Sequence, residues 1–207
     1  MRLDKVVLRA VVTTLAVIMI LCAFMLAALS FVFPSTMMQI TYNLGMNNIS
    51  VSCAKRAYAY SGEVEYIAFA TELAMLDGNT KEVIICGNQL IKDDEFSAYC
   101  QDKNASKPAD ATGTYEQYVI GQICLAEYDK ATDRNAKKSV IEKAFGSLEN
   151  NTFPKANPVA LIILSAKQKA DTETLALLKA EMESFAVGNL SEDDAKRFNE
   201  LFALTNG

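Results

Sequence analysis

The 207-residue sequence contains no histidine and no tryptophan. Without histidine the chain cannot form a Ser-His-Asp or Cys-His catalytic centre, a zinc site with imidazole ligands or a histidine-ligated haem. The five cysteines include no C-x-x-C pair, which argues against a redox-active dithiol and against a zinc ribbon. The net charge of −5 argues against a nucleic-acid-binding protein, which would usually carry a basic face. We therefore expect no cofactor, no metal and no nucleic-acid partner.

Charge is also missing from residues 10 to 54, although four charged residues crowd into the first nine positions. Within this stretch, residues 10–33 are apolar apart from two threonines and one serine, and as a helix they would be roughly 36 Å long. A bilayer core of about 30 Å needs about 20 residues. The stretch predicts a transmembrane signal anchor over 10–33, because buried core helices rarely run this long without a polar face. A cleaved signal peptide, processed near Ala23, Ala27 and Ala28, is the alternative.

The distribution of basic residues predicts the orientation of this anchor. Three basic residues precede the span, and none follows it for more than twenty residues, so the positive-inside rule places the N-terminus in the cytoplasm. Ala23 and Ala27 form a small-xxx-small pair that favours self-association of membrane helices. The predicted organisation is a cytoplasmic tail (1–9), the anchor in the cytoplasmic membrane (10–33), an uncharged juxtamembrane segment (34–48) and an extracytoplasmic all-helical domain (49–207).

The rest of the chain predicts helix after helix. Apolar residues recur mainly at three- and four-residue spacing, and neither strand-turn-strand punctuation nor a glycine-rich turn is present. Residues 159–164 (VALIIL) suit a buried strand by composition, but their helical neighbours favour a helix. Antiparallel pairs of such helices predict a stacked helical-hairpin array or an irregular bundle. The predicted segments are 34–44, 49–60, 63–76, 80–91, 93–102, 115–131, 133–148, 159–169, 172–187 and 191–204, with loops over 104–113 and 150–158.

One pair of predicted helices carries a family resemblance. Tyr58 lies four residues before Gly62, and Ala74-Met75 form a small-large apolar pair near the end of the second helix. This pattern over residues 58–79 resembles a tetratricopeptide repeat. The chain departs from that repeat at Ile67, at Asn79 and in lacking a tryptophan-leucine-glycine opening, and no 34-residue period is evident. The resemblance implies a tetratricopeptide-like solenoid with a concave face for peptides or proteins, and it carries over no functional residue.

Four cysteines lie outside the predicted membrane span. In an oxidising compartment, Cys53, Cys86, Cys100 and Cys124 would allow two disulfides in three connectivities. Pairing of Cys86 with Cys124, or of Cys53 with Cys100, is one arrangement. Alternatively, each is a small buried apolar residue.

Tyrosine is concentrated before residue 130, and several tyrosines fall on predicted helices. Tyrosine is favoured at protein interfaces, so these side chains are a candidate interaction surface, although packing between hairpins is the favoured explanation. The candidates are Tyr58, Tyr66, Tyr115 and Tyr118.

Together these features predict a single-pass membrane protein without enzymatic activity. It would be a scaffold or accessory subunit that binds another protein outside the cytoplasmic membrane. The alternative is a membrane-anchored enzyme that uses carboxylate, lysine or cysteine chemistry, and a cleft with converging acidic residues of raised pKa would favour it. In a third interpretation, the uncharged stretch 35–54 packs on a membrane partner.

Overall fold

The structure, a computed structural model, describes residues 2–106, 113–148, 153–154, 157–185 and 187–206. Every regular element in these ranges is helical and none is a strand, which confirms the predicted all-α fold. A 3-10 turn, Val187–Asn189, precedes the last helix. The α-helices in chain order are α1 (Arg2–Val32), α2 (Pro34–Asn43), α3 (Asn47–Ser61), α4 (Val64–Leu76), α5 (Thr80–Leu90), α6 (Phe96–Ala105), α7 (Tyr115–Lys130), α8 (Arg134–Gly146), α9 (Pro158–Gln168), α10 (Thr172–Ser184) and α11 (Glu192–Leu204).

The N-terminal helix α1 is long and apolar enough to cross a membrane. Its apolar part, Val7–Val32, has 26 residues, which corresponds to roughly 39 Å of helix and exceeds the bilayer core of about 30 Å. Almost all of its side chains are exposed, as expected of a helix that meets lipid and unlike the buried core helix of a soluble domain. A signal sequence near the N-terminus shares this length and composition, so the same helix fits a retained anchor and a cleaved signal sequence.

The chain forms two compact units, Met1–Ala70 and Thr71–Gly207, with the division inside α4. In the first unit the helical path breaks at Phe33, whose φ of −129° and ψ of 63° lie outside the helical range, and Pro34 starts α2 without an amide donor. α2 then packs against α3 across a short turn in which Gly45 has a φ of 70°. The buried hydroxyl of Ser50 donates to the carbonyl of Met38 (2.8 Å). We call residues 34–61 the α2–α3 hairpin.

Arg56 on α3 contacts the end of α1. Its guanidinium lies 3.9 Å from the centre of the Phe31 ring and donates to Oγ of Ser30 at 3.0 Å. The contact combines a cation–π interaction with a hydrogen bond, and together they fix α3 beside the last turn of α1.

The second unit is organised around α7. α5, α6, α8 and α9 pack against it, α10 packs on α8 and α9, and α11 packs on α9. The stripe of buried apolar residues on each of these helices is what drives the packing, since burial contributes roughly 25 cal/mol per Å² of apolar surface. The largest fully buried side chains of this core are Phe153, Ile141, Ile162, Ile163, Leu178, Met182 and Val159.

Several predicted helix starts are confirmed by their cap geometry. Thr114 and Gln117 form a complete capping box at the start of α7. The side chain of Asn79 accepts from the amide of Glu82, and that of Ser191 accepts from the amide of Asp194. The stretch VALIIL is helical, within α9.

Other predicted boundaries are wrong by several residues. The helix predicted from residue 93 begins at Phe96, because the Asp93 carboxylate accepts from the amide of Glu95 and holds a turn before the helix. The helix predicted to reach Val187 ends at Ser184, and α3 starts two residues earlier than predicted, at Asn47. Most of the loops predicted over 104–113 and 150–158 lie outside the described residues, although 104–105 extend α6 and Pro158 begins α9.

Candidate functional site

The four candidate tyrosines divide between the two units. Tyr58 and Tyr66 are half-buried in the first unit, on α3 and α4. Tyr115 and Tyr118 lie one turn apart at the start of α7, with ring centres 6.4 Å apart. Tyr118 is 40% exposed, whereas Tyr115 is buried. In the second unit, therefore, Tyr118 is accessible to solvent, whereas Tyr115 contributes to packing.

The surroundings of Tyr115 explain its burial. Its hydroxyl donates to Oε1 of Glu72 (2.7 Å), and its backbone amide donates to the side-chain oxygen of Asn104 (2.7 Å). Burial and the Glu72 carboxylate raise the pKa of Tyr115 above its usual value, so the hydroxyl stays protonated and donating. Lys103 completes the cluster: its ammonium reaches the same carboxylate (3.4 Å) and lies over the rings of Tyr99 and Tyr115. The arrangement joins α4, α6 and α7 through satisfied polar groups.

A second polar network joins α5, α7 and α8. Nζ of Lys143 lies 2.8 Å and 2.9 Å from the two carboxylate oxygens of Glu127. The side chain of Asn88 donates to Glu127 (3.2 Å) and accepts from Lys143 (3.3 Å). Since each charge is paired and also hydrogen-bonded to a neutral amide, the network holds three helices in register.

A third network surrounds Asp171 at the start of α10. Although burial acts to raise it, the pKa of Asp171 is held well below its usual value by Lys137, Thr174 and Tyr128. The ammonium of Lys137 lies 2.9 Å from the carboxylate, and the Tyr128 hydroxyl donates to it (2.9 Å). Burial and this carboxylate raise the pKa of Tyr128 to about 12. A carboxyl with a lowered pKa is a poor general acid at neutral pH, so the chemistry of this cluster is that of a helix cap.

The cysteines carry free thiols in the structure. Cys53, Cys86, Cys100 and Cys124 are all buried, and burial raises the pKa of Cys53 and raises that of Cys124 to about 12. A thiol with such a pKa is protonated at neutral pH and is a weak nucleophile. Cys86 and Cys124 lie on the packed helices α5 and α7, whereas Cys53 belongs to the first unit. Disulfide formation in an oxidising compartment stays a prediction.

A cleft that the sequence did not predict opens between α9 and α11. Its volume is about 430 Å³, and its lining is apolar except for one basic and one acidic side chain at the rim. Leu164 is 53% exposed there, and no other large apolar side chain of α9 is as accessible. The apolar residues of the lining are Ala160, Leu164, Leu201 and Leu204, and the charged ones are Arg197 and Glu200.

Arg197 fixes one wall of this α9–α11 cleft. Its guanidinium donates to the carbonyl of Phe153 and to Oδ1 of Asp194 (2.9 Å). These two hydrogen bonds hold the Arg197 side chain in one position in the lining of the cleft. Arg197, Glu200, Leu201 and Leu204 are spaced three or one residues apart and so share one face of α11. This mixed apolar and charged face is the pattern in the sequence that could have indicated the cleft.

Comparison of the chain with protein-family models, with curated proteins and with solved structures finds no match. The function therefore has to be argued from the residues themselves. In the described ranges, no three cysteine, aspartate or glutamate side chains converge in a way that could hold a metal ion.

Proposed function

We propose that the protein is a single-pass, membrane-anchored helical scaffold or accessory subunit that binds another protein outside the cytoplasmic membrane. The α9–α11 cleft is the observation that carries this proposal. Its lining is mainly apolar, with Leu164 substantially exposed, and includes one charge of each sign. An amphipathic helix that inserts apolar side chains at one-turn spacing is the kind of partner that such a cleft fits.

The exposure of Leu164 is the strongest part of this argument. The other aliphatic side chains of α9 at positions 162 and 163 are fully buried, whereas Leu164 presents about half of its surface to water. Binding energy at protein interfaces concentrates in a few apolar anchors that become desolvated, surrounded by a polar rim. Leu164 lines the same cleft as Arg197 and Glu200, so an exposed apolar side chain and charged side chains occur together there.

The anchor and its orientation complete the proposal. The three basic residues among the first nine positions, with none following until Lys55, favour a cytoplasmic N-terminus, with the second unit outside. Ala23 and Ala27, both exposed on α1 and one turn apart, favour self-association of that helix in the bilayer. The tetratricopeptide-like pattern at residues 58–79 favours a scaffold as well.

The test is in-cell crosslinking of the full chain, followed by affinity purification and mass spectrometry. We would compare the native protein with a version that carries an unrelated membrane anchor, and with Leu164→Asp. The matched control is Leu76→Asp, which introduces the same charge at a leucine that is 76% exposed on α4. Because both leucines are exposed, neither substitution should lower the thermal stability much.

We expect one specific partner that survives replacement of the anchor and the Leu76→Asp change but is lost from Leu164→Asp. A partner that Leu164→Asp retains would show that the cleft is not the binding site. A partner seen only with the native anchor would move recognition to the membrane segment, and no specific partner in any version would contradict the scaffold.

A further inference from the structure

The α2–α3 hairpin carries no charge before Lys55, and many of its exposed side chains are apolar, among uncharged polar ones such as Gln39 and Asn43. Met37 and Met38 are buried within the hairpin, so the exposed apolar side chains belong to its opposite face and its turn. No formal charge occurs between residues 10 and 54, which covers all of α2, the turn and the first two turns of α3. The exposed apolar side chains are Ile40, Tyr42, Leu44, Met46 and Ile49.

The position of the hairpin in the chain indicates what covers this face. The hairpin follows α1 after one residue, at the helix break made by Phe33 and Pro34. Such a break lets α2 leave the axis of the membrane helix. The exposed apolar surface of α1 thus continues directly into that of the hairpin, without an intervening charge.

Arg56 marks the level at which the hydrocarbon ends. It is one of the first two charged residues after the span, together with Lys55, and its guanidinium contacts Ser30 and Phe31 in the last turns of α1. A guanidinium at the end of a membrane helix lies at the headgroup level, where its apolar stem and its charge are both accommodated. The end of α1 beside the hairpin is therefore at the membrane surface.

We propose that the α2–α3 hairpin lies on the membrane surface, with its Leu44–Met46 turn among the lipid headgroups and upper acyl chains on the side where α1 ends. Apolar helix faces bury themselves at this boundary. A lipid surface is favoured over a second copy or a protein partner because these exposed side chains follow α1 directly and no charge occurs in the hairpin before Lys55. The inference rests on α1 crossing a bilayer and is independent of the α9–α11 cleft.

The absence of tryptophan makes a direct test simple, because one introduced indole is the only one in the chain. The variants are Leu44→Trp at the turn, Leu76→Trp as an exposed control in the second unit, and Phe24→Trp within the span. Leu44, Leu76 and Phe24 are 65%, 76% and 72% exposed, so no variant overpacks a core. Each full-length variant is reconstituted into phosphatidylcholine vesicles, with and without lipid brominated high on its acyl chains, and circular dichroism checks its helix content.

We expect the emission of Leu44→Trp to shift to shorter wavelength than that of Leu76→Trp and to be quenched by brominated lipid. Leu76→Trp should be quenched by aqueous iodide instead. Iodide quenching of Leu44→Trp without bromolipid quenching would overturn the proposal. Shielding of Leu44→Trp from both quenchers would also overturn it, in favour of a second copy or a protein partner.

The Phe24→Trp variant tests whether α1 crosses the bilayer, separately from whether the hairpin lies on the membrane surface. If brominated lipid placed deep in the acyl chains quenches Phe24→Trp but Leu44→Trp stays in water, the anchor stands and the surface hairpin is wrong. If Phe24→Trp is not quenched either, α1 does not cross the bilayer, and both the proposed anchor and the hairpin inference fail.

Discussion

Gly87 is the position where the close approach of α5 and α7 can be tested most sharply. A Cβ atom added there would lie 2.5 Å from Cγ1 and 2.7 Å from Cδ1 of Ile123 on α7. Carbon atoms in contact are normally about 3.5–4.0 Å apart, and Ile123 is fully buried with little room to move. Overpacking of this kind costs about 1–3 kcal/mol. Replacing a helical glycine by alanine also stabilises the helix by about 1 kcal/mol, because alanine has the higher helix propensity. We therefore expect Gly87→Ala to destabilise this helix pair by about 1 kcal/mol.

A second substitution should reverse the sign of this effect. Ile123→Ala removes both atoms that the new Cβ would meet, so in that background Gly87→Ala should stabilise by about 1 kcal/mol through helix propensity alone. The coupling energy between the two positions is then about 2 kcal/mol. Gly146→Ala is the matched control, because no atom lies within 4 Å of a Cβ placed there in α8.

The neighbouring cysteines supply the assay. Cys86 precedes Gly87, Cys124 follows Ile123, and both thiols are buried, so a thiol reagent can reach them only when α5 and α7 open. Labelling rates measured by peptide mass spectrometry on the reduced full-length protein should rise about fivefold in Gly87→Ala, the factor that corresponds to about 1 kcal/mol. Slower labelling of Gly87→Ala in both backgrounds would show that the helices do not approach at this point, and would refute the reasoning.

Two further predictions concern the polar networks. The pKa of Asp171 is lower in the folded protein than in the unfolded chain, where it is about 3.9, so the ionised carboxylate stabilises the fold above that pH and the stabilisation is lost as the pH falls below it. Thermal stability should therefore fall less steeply below about pH 4 in Asp171→Asn than in the native chain. Identical slopes in the two proteins would contradict this. Tyr115→Phe removes the hydrogen bond to Glu72 and should lower the free energy of unfolding by about 1 kcal/mol in urea titrations, whereas Tyr118→Phe should change it by less than about 0.5 kcal/mol. Equal effects of the two tyrosine changes would argue against the hydrogen bond.

Helix existence and several helix starts follow from local chemistry, and for this reason the sequence predicted them. The Thr114–Gln117 capping box and the Ser191 cap depend only on residues three positions apart, so the local sequence is sufficient to predict them. The start of α6 depends on a competition between Asp93 as a helix cap and Asp93 as the first residue of a turn. The turn prevails, and the helix begins later than its acidic residues suggest.

The candidate site could not be predicted in the same way, because it depends on which helices pack together. Glu127, Lys143 and Asn88 belong to three helices, and no spacing rule connects residues that are up to 55 positions apart. Tyr115 and Tyr118 are neighbours on one helix, yet only Tyr118 is substantially exposed, because the side of α7 that meets α6 is decided by tertiary packing. The exposure of Leu164 likewise depends on where α11 rests on α9.

The aromatic core of the second unit has a consequence for vectorial synthesis. Phe198 on α11 lies 5.4 Å from Phe153 and 5.6 Å from Phe185, ring centre to ring centre, so it closes a cluster whose other members are synthesised earlier. Until α11 has been synthesised, the nascent chain has to expose those rings to water. A chaperone that holds the unit during synthesis would find its binding surface there, and the same surface disappears when α11 docks.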